Sequence, residues 1–133
     1  MRHLLDTNIF IAALKGRSEV RTRLQRLPLA DLLLSPVVLG ELELGVAKSA
    51  WPERNRARLA DVVQHLTVVP LDAEAAHHYA DIRAVLERRG TPIGANDLWI
   101  AAQARALGAV LVTDNVRELG RVDALKIDNW LQS

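Results

Sequence analysis

The sequence predicts a three-layer α/β/α domain with a mostly parallel central sheet. Short aliphatic runs alternate with longer segments of helical spacing, the pattern of strands joined by crossover helices. The chain is 133 residues long, without repeats, low-complexity stretches or long linkers, so residues 1–133 are expected to form one domain. Half of the residues are hydrophobic but only 4% are aromatic, so the core must be built from Leu, Ala and Val.

The elements follow in order. His3–Asp6 reads as a buried strand ending at an acid, and Asn8–Leu14 as a helix capped by Thr7 or Asn8. Glu19–Leu27 is a short Arg-rich helix and Ala30–Leu34 a second strand. Ser35-Pro36 starts a helix over Val37–Lys48, because proline is favoured in the first turn. Pro52 opens another over Glu53–His65, and Val68–Val69 is a short strand. Asp72 caps a long helix over Ala73–Arg89 that Gly90 ends. Asn96 is the expected cap for Asp97–Leu107, which Gly108 closes. Ala109–Val112 and Leu125–Ile127 complete the strands.

Composition excludes several chemistries. The chain has no cysteine, which rules out disulfides, a thiolate zinc site and a cysteine nucleophile. No apolar run approaches the ~20 residues of a membrane span. Asp6 interrupts Leu4-Leu5 before a signal-peptide core could form, so a cytoplasmic protein without a membrane partner is expected. The net charge is only +1, yet 14 of the 17 basic residues are Arg, whose forks bind phosphate bidentately. A GC-rich genome would favour the same bias.

Four acids stand out by position. Ligands bind beyond the carboxyl ends of parallel strands, where Asp6 and Asp114 are placed. On the Val37–Lys48 helix, Glu41 lies about 60° from Val38 and shares a stripe with Leu42 and Gly45, whereas Glu43 faces away. Asp97 shares a stripe with Ile100, Ala101 and Ala104, and sits in a first turn where the helix dipole favours an anion. Each acid alone has an ordinary explanation: a turn residue, a helix-start carboxylate or a partner for Arg. Together they can converge on one cleft, where like charges need a compensating cation. Oxygen ligands without Cys or His favour Mg²⁺ or Mn²⁺ over zinc.

One or two such ions would suit hydrolysis of a phosphodiester by water, with no nucleophilic side chain required. Rival phosphate sites lack their residues. Gly40 and Gly45 lie within a helical pattern with no Gly-Lys-Ser/Thr after them, and Asn8 stands where an aspartyl phosphatase needs a second Asp. A receiver domain would want an early acid pair and a late Lys. His77-His78 reads as surface or helix packing.

These residues also carry a family resemblance. Leu5-Asp6-Thr7-Asn8-Ile9 resembles the opening motif of PIN-domain ribonucleases, and Val37 to Gly45, with Glu41, resembles the second. Gly94 to Ala102, with Asn96-Asp97, resembles the third, and Val112-Thr113-Asp114-Asn115-Val116-Arg117-Glu118-Leu119 the fourth. The four motifs occur in order along nearly the whole chain. The compact length is similar to VapC-type toxins of bacterial toxin–antitoxin pairs. The resemblance implies a metal-dependent endoribonuclease, a homodimer, held inactive by a cognate VapB antitoxin. It assigns Asp6, Glu41 and Asp97 as ligands of Mg²⁺ or Mn²⁺. Thr113, Asp114 and Asn115 all fall in the fourth segment, and Asp114 is taken as the fourth acid because it carries charge. Thr7, Asn8, Asn96, Thr113 and Asn115 would orient the carboxylates. Leu119 stands where relatives often carry Phe. The implied substrate is structured RNA, a tRNA and in particular initiator tRNA.

Two other functions are compatible with the same acids. One is a flap-type DNA nuclease, for which the chain lacks room for a helical arch. The other is a PIN scaffold that binds RNA or protein without turnover. Candidate RNA contacts are Arg17, Arg21, Arg23 and Arg26, then Arg54, Arg56 and Arg58, then Arg88 and Arg89. Removing the four negative charges of the candidate acids from the net of +1 leaves the remainder at +5. Near-neutrality then averages an acidic pocket and an Arg-rich exterior.

Overall fold

A computed structural model describes residues 1–131; residues 132 and 133, the end of the expected domain, lie outside the described residues. Five short strands form one sheet: β1 (His3–Leu5), β2 (Leu32–Leu34), β3 (Thr67–Val68), β4 (Val110–Val112) and β5 (Lys126–Asp128). Their order is β3-β2-β1-β4-β5, and every pairing is parallel. The helices between them are α1 (Thr7–Leu14), α2 (Ser18–Gln25), α3 (Pro36–Ala47), α4 (Pro52–Val63), α5 (Ala73–Arg88), α6 (Ala95–Leu107) and α7 (Val116–Leu119).

Strand order and the right-handed crossover rule explain the layers. From β1 the chain steps to β2 and then β3 in one direction, carrying α1 to α4 on one face. It then returns across β1 to β4 and β5, which moves α5 to α7 to the other. Both faces are therefore covered, and strands such as Leu32–Leu34 are apolar throughout because both sides are buried. The core is aliphatic, from Leu4, Ile9 and Leu34 to Ile100, Leu111 and Leu119. On α6 the small buried residues Ala101, Ala102 and Ala104 allow close packing against neighbouring elements. Among the described residues no helix is long and apolar enough to cross a membrane.

The direction of the chain reverses between β1 and β4, which creates a crevice at their carboxyl ends. That crevice is where Asp6 and the segment after β4 meet.

Several expected boundaries move for local reasons. Asp6, expected to end β1, is instead the N-cap of α1, its side chain accepting from the Thr7 N–H. Thr7 and Asn8, expected as caps, occupy the first turn. The strand expected from Ala30 begins at Leu32, because Leu29–Asp31 forms a 3₁₀ turn. Asn96 is not the cap of α6: Gly94 takes that place, and Asn96 lies one residue inside the helix. β3 begins and ends one residue early, and β5 lies one residue late. The short α7 is not predicted by spacing, since four residues are too few to show a period.

Candidate active site

Asp6 is the most constrained acid. It is 7% exposed at the end of β1, and its backbone N–H donates to Val112 O at 2.9 Å. Its Oδ1 accepts from the Thr7 N–H at 2.7 Å, and its Oδ2 accepts from the fully buried Thr113 hydroxyl at 2.7 Å. Thr113 Oγ1 accepts in turn from the Asn115 N–H at 3.0 Å.

Glu41 arrives from α3. Buried Ser35 caps that helix with a 3.2 Å contact to the Val37 N–H, and Pro36 fixes its first turn. Val38 and Leu42 hold α3 in the core, which leaves Glu41 half-buried at the crevice. Its Oε2 accepts from the Thr7 hydroxyl at 2.5 Å and its Oε1 from Asn96 Nδ2 at 2.8 Å. Asn96 thus donates across to Glu41 instead of capping its own helix. Asp97, half-buried in the first turn of α6, accepts from Asn115 Nδ2 at 3.3 Å.

Thr7, Asn96, Thr113 and Asn115 therefore tie Asp6, Glu41 and Asp97 into one network. Asp114 stands outside it. It is exposed, and its Oδ1 accepts from the exposed Asn8 at 3.3 Å. Glu118, to which spacing assigns no role, lies half-buried on α7 with Oε2 3.5 Å from Asn115 Nδ2. Only recognition of α7 would have brought it to the crevice.

Electrostatics marks the network as uncompensated. Asp97 is pushed up to about 6, first by burial and then by the charges of Asp6, Glu118 and Glu41, with Asn115 opposing. Burial also raises Asp6, and Glu41 and Asp114 add to it. The bonds from Thr113 and Thr7 pull the other way. Among the described residues, no ion pair involves these five acids. Nor do three carboxylate or imidazole groups already form a metal cage there. Threonine and asparagine donors occupy the carboxylate oxygens instead. An all-oxygen donor set with excess negative charge fits a hard divalent cation.

Known proteins carry the same arrangement of chain. The PIN domain family matches residues 3–125. The chain belongs to that family. Among PIN-domain relatives, the tRNA(fMet)-specific endonuclease VapC of Shigella flexneri is 41% identical over 131 residues, covering 98% of each chain. Ribonuclease VapC2 of Haemophilus influenzae Rd is 39% identical over 132 residues, covering 98% of this chain and 99% of the relative. The crystal structure of VapBC2 from Rickettsia felis, bound to a DNA fragment from its promoter, contains a chain that superposes with a TM-score of 0.90. That chain is 36% identical, and the match covers 98% of this PIN domain and 99% of the solved chain.

The arginines of this PIN domain divide into two groups. Arg17, Arg23 and Arg89 are engaged with Glu19, Asp128 and Asp123. Arg54, Arg56 and Arg58 are exposed on α4 and form no ion pair among the described residues. His77 is exposed, and His78 Nδ1 accepts from Arg105 Nε at 2.8 Å, which makes it a packing residue between α5 and α6.

Proposed function

We propose that the chain is a VapC-type toxin: an endoribonuclease, dependent on Mg²⁺ or Mn²⁺, that cuts structured RNA and is silenced by a VapB-type antitoxin. The observation that carries this reading is the network of Asp6, Glu41 and Asp97 at the sheet's switch point, with which no Arg or Lys pairs among the described residues. Relatives named as ribonucleases and as an endonuclease specific for tRNA(fMet) make initiator tRNA the first substrate to test.

Asp6, Glu41 and Asp97 would hold the ion. When bound, it supplies the charge that lets these carboxylates ionise together, acidifies water and stabilises charge on phosphate. The chain's own residues set the geometry. Thr113 and the Thr7 N–H fix the Asp6 oxygens, while the Thr7 hydroxyl and Asn96 fix those of Glu41. Asn115 steadies Asp97. In hydrolysis the water oxygen bonds to phosphorus, the ribose oxygen leaves, and a proton ends on that leaving oxygen. Asp114, whose charge reaches Asp6, is the proposed fourth acid, and Glu118, whose charge reaches Asp97, is its rival.

For the antitoxin, support comes from a large apolar groove of about 550 Å³ between α1, α2 and α4, lined by Phe10, Leu24, Leu29 and Leu66 among others. Leu29 is 58% exposed there, as expected of a surface that a partner covers. A homodimer is proposed on the resemblance to VapC toxins.

The test is cleavage of purified initiator tRNA and a panel of other RNAs, with Mn²⁺ or with a chelator. Cleavage should require metal and vanish in Asp6→Asn with the fold intact. An Asp6→Asn protein that cuts like the parent would sink the assignment. Comparing Asp114→Asn with Glu118→Gln identifies the fourth acid as the one whose loss reduces cleavage more.

A further inference from the structure

A second groove, of about 340 Å³, opens between α1, α3 and α4. Its near end adjoins the acids. Ile11 lies one turn after Thr7 on α1, and Gly45 one turn after Glu41 on α3, so each shares a helix face with a site residue. Beside Gly45 the space is open: a Cβ built there meets no heavy atom outside its own helix turn within 4 Å. At the far end Asn55 donates to Ser49 Oγ at 3.0 Å, closing the turn that presents Trp51. That indole is 67% exposed, an unusual position for a large aromatic residue.

Charge distinguishes this groove from the larger one. Its lining includes Lys15 and Arg58 and no acid, whereas in the larger groove Arg21 is offset by Asp61. Neither Lys15 nor Arg58 forms an ion pair among the described residues. An aliphatic floor flanked by free cations and ending near an exposed indole suits a strand whose bases are unstacked. Duplex RNA hides its base faces and would gain nothing from floor or indole.

We propose that this groove is the subsite for single-stranded RNA on one side of the cut. Lys15 and Arg58 bind backbone phosphates, Ile11 and Leu42 contact sugar and base, and Trp51 stacks on a base beyond the groove. This rests on the ribonuclease reading above and adds where the strand lies and which residues grip it.

The test uses fluorescein-labelled oligouridine and the full chain. Binding is measured in an Asp6→Asn background over a salt series, and cleavage in the parent background with Mn²⁺. Lys15→Gln and Arg58→Gln should each reduce the slope of log Kd against log salt by about 0.7, the value for one phosphate contact on a single strand. Trp51→Ala should weaken binding about ten-fold with the slope unchanged, and Trp51→Phe should restore most of it. In cleavage all three losses should appear in KM, with kcat held. Lys126→Gln, exposed on β5 at the far edge of the sheet, should match the parent.

If the Lys15, Arg58 and Trp51 variants bind and cut like the parent, the strand does not lie here, although parental cleavage still upholds the nuclease. A parent that cuts no RNA overturns the nuclease reading itself, while the binding arm still tests the groove. Variants that keep RNA binding but escape inhibition by the antitoxin would assign the groove to that protein. A fall in molar mass by light scattering, with RNA binding kept, would assign it to a second copy of the chain. Either result overturns the proposal.

Discussion

Burial and three neighbouring acids disfavour the charge of Asp97 and push its pKa up to about 6 in the folded protein. Its folded pKa lies above the unfolded value of 3.8, so the native state holds the proton more tightly. The stability this confers is complete below about pH 4 and is lost as pH rises through 6. In chelator at pH 7, Asp97→Asn should therefore stabilise the protein by about 1–2 kcal/mol, after allowing for solvent screening. Thermal unfolding at pH 4.5 and 7 checks this: the gain should be present at pH 7 and small at pH 4.5. A loss at pH 7 would show that the carboxylate is not strained. Thr7→Val tests the neighbouring claim. It removes the hydroxyl that holds Glu41 while leaving the Asp6 cap, and should lower cleavage roughly 10–100-fold with Tm little changed. Asp6, Glu41 and Asp97 were legible as residues because strand ends and helix faces follow from spacing. Their hydrogen bonds were not, since which Thr or Asn meets which oxygen depends on how β1, β4, α3 and α6 pack. Glu118 was illegible for the same reason: nothing local aims it at Asp97.

Capping chemistry decides how well each element is specified. Gly108 ends α6 at φ 63°, the left-handed region that a Cβ disfavours. Gly108→Ala should cost about 1 kcal/mol, read as a lower urea midpoint with unchanged slope. The glycine was readable as a helix stop because few alternatives end a helix this way. The start of α6 was misread because Asn96 is an excellent capping residue in isolation. Its side chain is instead committed to Glu41, so a tertiary contact outweighs the local preference. Asp6 shows the converse, a residue noticed for charge that also caps α1. In both cases a polar side chain near a helix start serves the crevice as well as its own helix. Gly45 was read as part of the apolar stripe of α3, yet it is exposed, because the stripe turns outward beyond Leu42 to edge the groove.

Across the whole molecule, the excess negative charge at one crevice makes stability depend on what binds there. Divalent cation at a hundred times its Kd should stabilise the fold by about 2.7 kcal/mol. A Mn²⁺ titration by thermal unfolding should show that rise in the parent and its loss in Asp6→Asn. No shift in the parent would favour a PIN scaffold that binds without cutting. The fold class was legible from alternation alone, since strands and helices differ in length and period. Strand order was not, because strands of two or three residues say nothing about their neighbours. That order has a consequence for synthesis. Asp6 comes before its clamp in synthesis: Val112 and Thr113 follow it by 106 and 107 residues. The central strand thus waits unpaired on one side until β4 emerges, and until then the nascent chain lacks the proposed cleavage centre beside the ribosome's own RNA. A chain stopped before Val110 should accordingly cut nothing, however many of its acids it already carries.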